Sequence, residues 1–298
     1  PRRSFRAQSG RRTIEMLLAA VDYYRPDSVA EAVAALVDNP GGRVLAGGQS
    51  LISILKLRAA TVDLLVDVSR LEEIRSITAL DDGSVRIGAG VTYDEMALSP
   101  ELMTAMPAVA GIAEHTVDPQ VRNRGTFGGN LCHNDPINNF PPLAVALDAT
   151  MHATGPDGDR EIDAAEFFTG YFSNALDRAE VLTSVTLPAL NGREIGYQEV
   201  EIGEAAARAV AVVAAGNGTI TEARVVLGCL AVPARREAVE EALTGAATTL
   251  DSVAEATSGA GEGIDPLSDP DASSEYRQAM ASVVAKRAVM EALGGQHG

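Results

Sequence analysis

The sequence predicts an α+β chain in two parts, and three observations carry that prediction. Helix and strand signals are interleaved through about the first 190 residues. From about Ile195 the pattern changes to long strands and then helices, as in a separate α+β unit. Two glycine-rich stretches about eighty residues apart punctuate the first part: Ala46-Gly47-Gly48-Gln49-Ser50-Leu51 and Thr126-Phe127-Gly128-Gly129-Asn130. The chain therefore divides into an extension (1–15), a first domain (16–190, with subdomains of about 16–70 and 71–190) and a C-terminal α+β domain (191–298).

The elements follow in order. Ser28 can cap a helix, and Glu31 lies three residues on, the spacing of a capping box. Apolar spacing carries this helix over residues 29–37, and Asn39-Pro40-Gly41-Gly42 stops it. Residues 43–45 read as a strand feeding the first glycine stretch. Residues 51–57 read as a helix leaving it, so the stretch sits at a helix N-terminus. Residues 64–68 form a buried strand. Residues 74–80 and 85–88 flank Asp81-Asp82-Gly83, a hairpin signal. Thr92 and Glu95 form a second capping box. Helices are expected within residues 100–114 and 138–147, with the second glycine stretch in a long loop between them. Strands follow near 150–154 and 181–187, and Asn191-Gly192-Arg193 is a linker. The last part reads as strands over 207–215 and 220–230, and helices over 234–243, 248–255 and 274–293. The polar stretch 259–271 is a loop. There is no internal repeat.

Composition excludes several classes. A chain of 298 residues is long enough for two or three domains with real cores. The net charge of −17 argues against a nucleic-acid surface, which needs a basic stripe. The two cysteines, Cys132 and Cys229, lie far apart with no CxxC or Cys/His cluster, so no iron–sulfur or zinc site is expected within the chain. Free thiols fit a reducing cytoplasm. No apolar run reaches the ~18 residues of a membrane span, and membrane association is not indicated. Arg2, Arg3, Arg6, Arg11 and Arg12 crowd the start. Arg11-Arg12 invites a twin-arginine reading, but the apolar stretch after it ends at Asp22. The first fifteen residues therefore read as a disordered extension from an upstream start, with Met16 as the usual first residue.

Adjacent glycines can reach φ > 0 and turn several backbone N–H groups towards one point, a nest that binds anions. Two such nests can close on the two phosphates of a dinucleotide. Ser50 and Thr126 can add neutral hydroxyl donors, or can simply cap a helix or turn. Asn130 can reach phosphate or sugar oxygens. His115 and His133 are the histidines near these motifs, and they read as structural. No nucleophile elbow, P-loop or GxGxxG is present.

These stretches resemble a known family. LAGGQSLISILKLR, followed by DPQVRNRGTFGGNLCHNDPINNFPPLAVAL, is similar to the FAD-binding medium subunits of molybdenum hydroxylases, the carbon monoxide dehydrogenase and xanthine dehydrogenase relatives. The likeness runs from about Tyr23 to about Leu293. It includes Phe167-Phe168-Thr169-Gly170, residues 181–188 and Ser274-Glu275-Tyr276-Arg277. The resemblance implies a two-part FAD-binding domain of the vanillyl-alcohol-oxidase (PCMH) type ahead of the C-terminal α+β domain. It implies FAD pyrophosphate held at Ala46, Gly47, Gly48, Gln49, Ser50 and Leu51, and by Thr126, Phe127, Gly128, Gly129 and Asn130. It brings Asp135 to the flavin cavity, or Asp135 merely opens a turn before Pro136. Asn139 stands where many members have an aspartate. Leu182 packs on the isoalloxazine ring, or is a strand core residue. Tyr197 lies near the flavin. Two positions on, members commonly carry a lysine; Glu199 stands here, and beside the reduced ring it would lower the flavin potential or alter the electron acceptor, unless it points to solvent or pairs with an arginine such as Arg208.

The resemblance further implies a flavin subunit of an oxidoreductase. Substrate would be oxidised at a molybdenum–pterin centre on a large partner. Electrons would cross two 2Fe–2S clusters on a small partner and leave through FAD to an external acceptor, in a cytoplasmic dimer of heterotrimers. The alternatives are a free-standing FAD-dependent oxidase or dehydrogenase, which would need its own general base, and a non-catalytic nucleotide-binding scaffold.

Overall fold

The computed structural model describes residues 17–294; the arginine-rich extension lies outside them. The first strand β1 (Asp22–Tyr24) leads to helix α1 (Val29–Asp38), then β2 (Arg43–Leu45), α2 (Leu51–Lys56) and β3 (Leu64–Asp67). The strands form a parallel sheet in the order β1-β3-β2. Ser28 caps α1, its hydroxyl accepting from Glu31 N at 3.1 Å. The Glu31 carboxylate closes the turn on Asp27 N instead of on the cap residue. Val29, Ala32, Val33 and Leu36 form a buried stripe at helical spacing. They pack on Leu64, Val66, Val68 and Ile74. Burial of each large aliphatic side chain contributes about 1.5–3 kcal/mol.

A 3₁₀ turn (Glu72–Ile74) joins this layer to the hairpin β4 (Ile77–Ala79) and β5 (Val85–Gly88). Helices α3 (Tyr93–Ala97), α4 (Pro100–Ala105), α5 (Pro107–His115), α6 (Pro119–Arg122), α7 (Phe127–His133) and α8 (Phe140–Ala146) follow. Thr92 and Glu95 make the expected capping box on α3. The helical signal over 100–114 is divided: Met106 leaves helical geometry (φ −146°, ψ 65°) immediately before Pro107. A residue before proline is pushed out of the α region.

Strands β6 (Thr150–Gly155) and β7 (Gly158–Asp163), the turn helix α9 (Ala164–Phe167), the small hairpin β8 (Phe168–Gly170) and β9 (Ser173–Asn174), and β10 (Val181–Leu187) complete the first part. An antiparallel sheet runs β4-β5-β10-β6-β7. Its inner face and helices α3, α5, α7 and α8 enclose the largest core, centred on Phe127, Phe140, Leu143 and Met151.

The last part is an antiparallel sheet of β11 (Glu194–Ile202), β12 (Glu204–Gly216), β13 (Thr219–Gly228) and β14 (Ala234–Arg235), with α10 (Glu237–Leu243), α11 (Leu250–Ala256) and α12 (Ser274–Ala292). The period of two decides which way β12 faces. Val210 and Val212 join the central core, whereas Ala207, Ala209, Ala211 and Val213 face α12. Small residues let α12 settle close: a Cβ at Gly196 would lie 1.8 Å from the Ala288 carbonyl oxygen.

Candidate functional site

A cavity of about 630 Å³ opens where the first parallel sheet, α3, α7 and β10 meet. The first glycine stretch forms one wall. It leaves β2 at Leu45 and turns into α2, with Gly48 at φ +74°. Gly47 lies so close to the second segment that a Cβ would meet the Arg124 carbonyl oxygen at 2.1 Å. Residues 77 apart in sequence are thereby pressed together, and only glycine fits. Among the described residues, the amides of Gly47, Gly48, Gln49 and Ser50 donate to no protein acceptor. Ser50 makes no side-chain cap on α2. Four amides and a hydroxyl on cavity-lining residues are therefore left unspent among the described residues, the donor set an anion needs.

The second stretch is built differently from the loop expected of it. It is the first turn of α7, capped by Thr126, whose hydroxyl oxygen accepts from Gly129 N at 3.1 Å. The amides of Phe127, Gly128 and Asn130 are spent on Val91 O, Ala89 O and Thr126 O. The doubled glycine serves packing: a Cβ at Gly128 would strike Ala89 at 2.4 Å. This wall therefore offers side chains, not a backbone nest. Thr126 keeps a hydroxyl proton to donate, and Asn130 Oδ1 is a buried acceptor without a partner among the described residues.

The structure brings Ala46 to Leu51, Thr126, Gly128, Gly129, Asn130 and Leu182 together around one cavity. Leu182 is both a buried β10 residue and part of that wall. Phe127 points away, its ring edge-on to Phe140 at 5.1 Å in the core. Asp135, Asn139 and Tyr197 are outside the wall. Asp135 Oδ1 accepts from Ile137 N, as in a turn before Pro136. Asn139 donates to the Tyr197 hydroxyl oxygen at 2.6 Å, and that hydroxyl donates to Glu199 at 2.9 Å. Burial pushes the Tyr197 hydroxyl far above its ordinary range, with Arg208 opposing. Glu199 does not face the cavity either: Arg208 donates to it twice, at 2.6 and 3.0 Å. The same guanidinium donates to the carbonyls of Ile137 and Asn138 at 2.7 and 2.9 Å. Asn138 does line the cavity, and its amide donates to Asn130 O at 2.8 Å. The C-terminal sheet thus holds the 134–139 loop from behind.

Sequence reasoning missed Tyr93, Cys132 and the β8–β9 hairpin, all on the wall. Asn134 ends α7 in the left-handed region and donates to the carbonyls of Gly170 and Ser173, tying the hairpin down. Phe172, at the hairpin tip with φ +53°, is tilted against His133 at 5.2 Å. Burial pushes the Cys132 thiol up to about 12, so it stays a thiol. Burial also lowers His133, with Asp135 opposing. The Asn134-Asp135-Pro136 run was the one local signal for this corner.

Residues 19–190 match the family model described as the FAD binding domain in molybdopterin dehydrogenase. Residues 201–292 match the CO dehydrogenase flavoprotein C-terminal domain. Fold and cavity thus define the class: a flavoprotein component of a molybdopterin-dependent dehydrogenase. The carbon monoxide dehydrogenase medium chain of Hydrogenophaga pseudoflava is 36% identical, over 92% of this chain and 97% of that protein. The glyceraldehyde dehydrogenase medium chain of Sulfolobus acidocaldarius is 32% identical, over 90% of this chain and 97% of its own length. Among solved structures, carbon monoxide dehydrogenase from H. pseudoflava lacking the Mo-pyranopterin moiety of its molybdenum cofactor superposes with a TM-score of 0.89 at 34% identity, covering 93% of this chain and 99% of that one. The chain belongs to the family of FAD-binding medium subunits of molybdenum hydroxylases. An FAD-binding part followed by an α+β C-terminal part is the fold expected of the sequence.

The donor set fits that cofactor. The cavity volume lies within the range of roughly 300–1,000 Å³ typical of cofactor sites. Free amides and hydroxyls suit a pyrophosphate, and the orphaned Asn130 Oδ1 awaits a donor.

Proposed function

We propose that this chain holds FAD across the cavity and works as the flavin component of a three-component molybdenum hydroxylase. The observation that carries the reading is the turn over residues 47–50, whose four amides find no acceptor among the described residues and whose residues line a cavity shared with α7. Those amides and Ser50 bind the pyrophosphate without adding charge. Thr126 donates from the opposite wall, and Leu182 offers an apolar surface to the ring. When bound there, FAD would supply the redox chemistry that links one-electron carriers to an external two-electron acceptor. The protein's part is to position the cofactor and shape its electrostatics.

We assign the metal centres to partners: a molybdenum–pterin cofactor to a large subunit and two 2Fe–2S clusters to a small one. Among the described residues no three His, Cys, Asp or Glu side chains converge on a point. Medium chains named for carbon monoxide and for glyceraldehyde share this fold, so substrate choice belongs to the large partner. The assembly we propose is a cytoplasmic dimer of heterotrimers. Two free cysteines support a reducing compartment, and no described helix is long and apolar enough to cross a membrane. The division at residues 190 and 191 is part of the same reading, since the third sheet begins at Glu194.

Two experiments test this. Gly47→Val drives a side chain into the Arg124 carbonyl, and Gly48→Val strains a left-handed residue. Both variants should purify without flavin absorbance, and full flavin content in both would place the site elsewhere. The chain alone, reconstituted with FAD and reduced with dithionite, should pass those electrons to an artificial dye but oxidise no hydroxylase substrate; turnover of such a substrate by the chain alone would establish the free-standing enzyme instead.

A further inference from the structure

Tyr93 stands outside every motif that pointed to the site. It opens α3 directly after the Thr92 cap, and its amide donates to Gly125 O at 3.1 Å. The ring rests on Gly125, where a Cβ would lie 2.8 Å from Tyr93 Cε2. Phe140 tilts against it, ring centroids 5.5 Å apart. The side chain is therefore fixed, 6% exposed, and set in the cavity wall beside Asn130.

Asn130 Nδ2 donates to Tyr93 Oη at 3.0 Å. That bond leaves two buried needs unmet. Asn130 Oδ1 has no donor among the described residues. The Tyr93 hydroxyl is the acceptor in its hydrogen bond, so among the described residues its own proton has no acceptor. Burial pushes the Tyr93 hydroxyl up to about 12, so the proton stays on at working pH. Buried polar atoms left this way are costly unless a ligand answers them.

We propose that Tyr93 and Asn130 together form a hydroxyl-reading site in the wall of the FAD cavity, gripping one alcohol of the cofactor's ribityl or ribose. Tyr93 Oη donates to the alcohol oxygen, and Asn130 Oδ1 accepts the alcohol's proton. A phosphate oxygen only accepts, so it would answer Tyr93 and leave Asn130 Oδ1 orphaned; an alcohol does both. The free amides over residues 47–50 already suit the pyrophosphate, which leaves this pair for the sugar side of the ligand. The inference rests on the FAD reading above.

The test is a binding cycle. Apoprotein, unmodified and as Tyr93→Phe, is titrated by flavin fluorescence with FAD and with a series of FAD analogues each lacking one ribityl or ribose hydroxyl. Tyr93→Phe keeps the ring packing and should weaken FAD about tenfold. One deoxy analogue should bind the unmodified protein about tenfold more weakly than FAD does, and should lose nothing further in Tyr93→Phe. The deoxy series on the unmodified chain stands by itself if the variant folds poorly: one analogue must fall out of line. FAD affinity unchanged in Tyr93→Phe, or a deoxy series with no single weak member, overturns the proposal. Failure of the unmodified protein to bind any FAD would instead remove the functional reading beneath it.

Discussion

Glu199 stands where the resembled family commonly carries a lysine, and the structure gives it a buried partner. Arg208 is 3% exposed and Glu199 24%, and the two share bonds of 2.6 and 3.0 Å. A guanidinium this deep needs a counter-charge, because an unpaired buried ion is expensive. Sequence could name Arg208 as a possible partner; it could not show that Arg208 also holds the Ile137 and Asn138 carbonyls, because that contact spans about seventy residues. The charge at 199 is therefore a structural matter before it is a redox one. Glu199→Gln should lower unfolding free energy by about 2 kcal/mol, below the roughly 3–5 kcal/mol of a fully buried pair because Glu199 keeps some water. Glu199→Lys should be worse, setting two cations side by side. The Glu199→Gln, Arg208→Met double variant should lose less than the sum of its singles. Urea unfolding decides it, and a midpoint unmoved in Glu199→Gln rejects the pair as a support of the loop.

At the scale of elements, local signals were read well where a cap marks them. Ser28 and Thr92 each set a helix boundary in the structure, whereas the break that Pro107 makes in the 100–114 signal was not read. The glycine pair at 128–129 was misread because a doubled glycine looks alike in a nest and in a helix packed against another backbone. What separates them is Ala89, forty residues away, and no local pattern contains it. The small hairpin over residues 168–174 was invisible for a similar reason: it is two short strands held by Asn134, not by its own alternation. Gly196 is a third case, in which a strand glycine exists for the sake of a helix. A Cβ there would lie 1.8 Å from the Ala288 carbonyl and 2.8 Å from Ala292 N, so α12 would have to lift from the sheet. Gly196→Ala should destabilise the chain by about 3 kcal/mol, the upper end for overpacking. Gly216→Ala, at the open end of β12 with nothing within 4 Å, should change stability by no more than about 0.5 kcal/mol. Thermal melting of the two variants compares them directly, and equal shifts would mean that α12 is not pressed against β11 at this point.

Over the whole molecule, the cavity exists because three parts of the chain meet, and each part brings ionisable groups with it. Fold class and cofactor class were legible because both glycine stretches are local; the shape of the wall was not, since it depends on which distant backbone each glycine touches. The same assembly fixes the pH response. His133 is lowered by burial, against Asp135, and His152 by burial and then Arg86, against Glu161. An unfolded histidine titrates near 6.5. Both are therefore harder to protonate folded than unfolded, and below about pH 6.5 the unfolded chain binds more protons. Stability should be full above that value and fall as the solution is acidified towards the lower folded values. Glu180, held below the usual carboxylate range first by its bond from Arg160, adds a second loss only in stronger acid, below about pH 4.5. His133 lines the cavity and His152 does not, so flavin content should follow His133 alone. Urea midpoints measured from pH 8 to pH 5 should decline below about 6.5 in the unmodified chain. They should decline less in His133→Gln or His152→Gln, and least in the double variant. A stability profile flat from pH 8 to pH 5, or one equally steep after both histidines are replaced, would show that these rings do not carry the acid sensitivity of the fold.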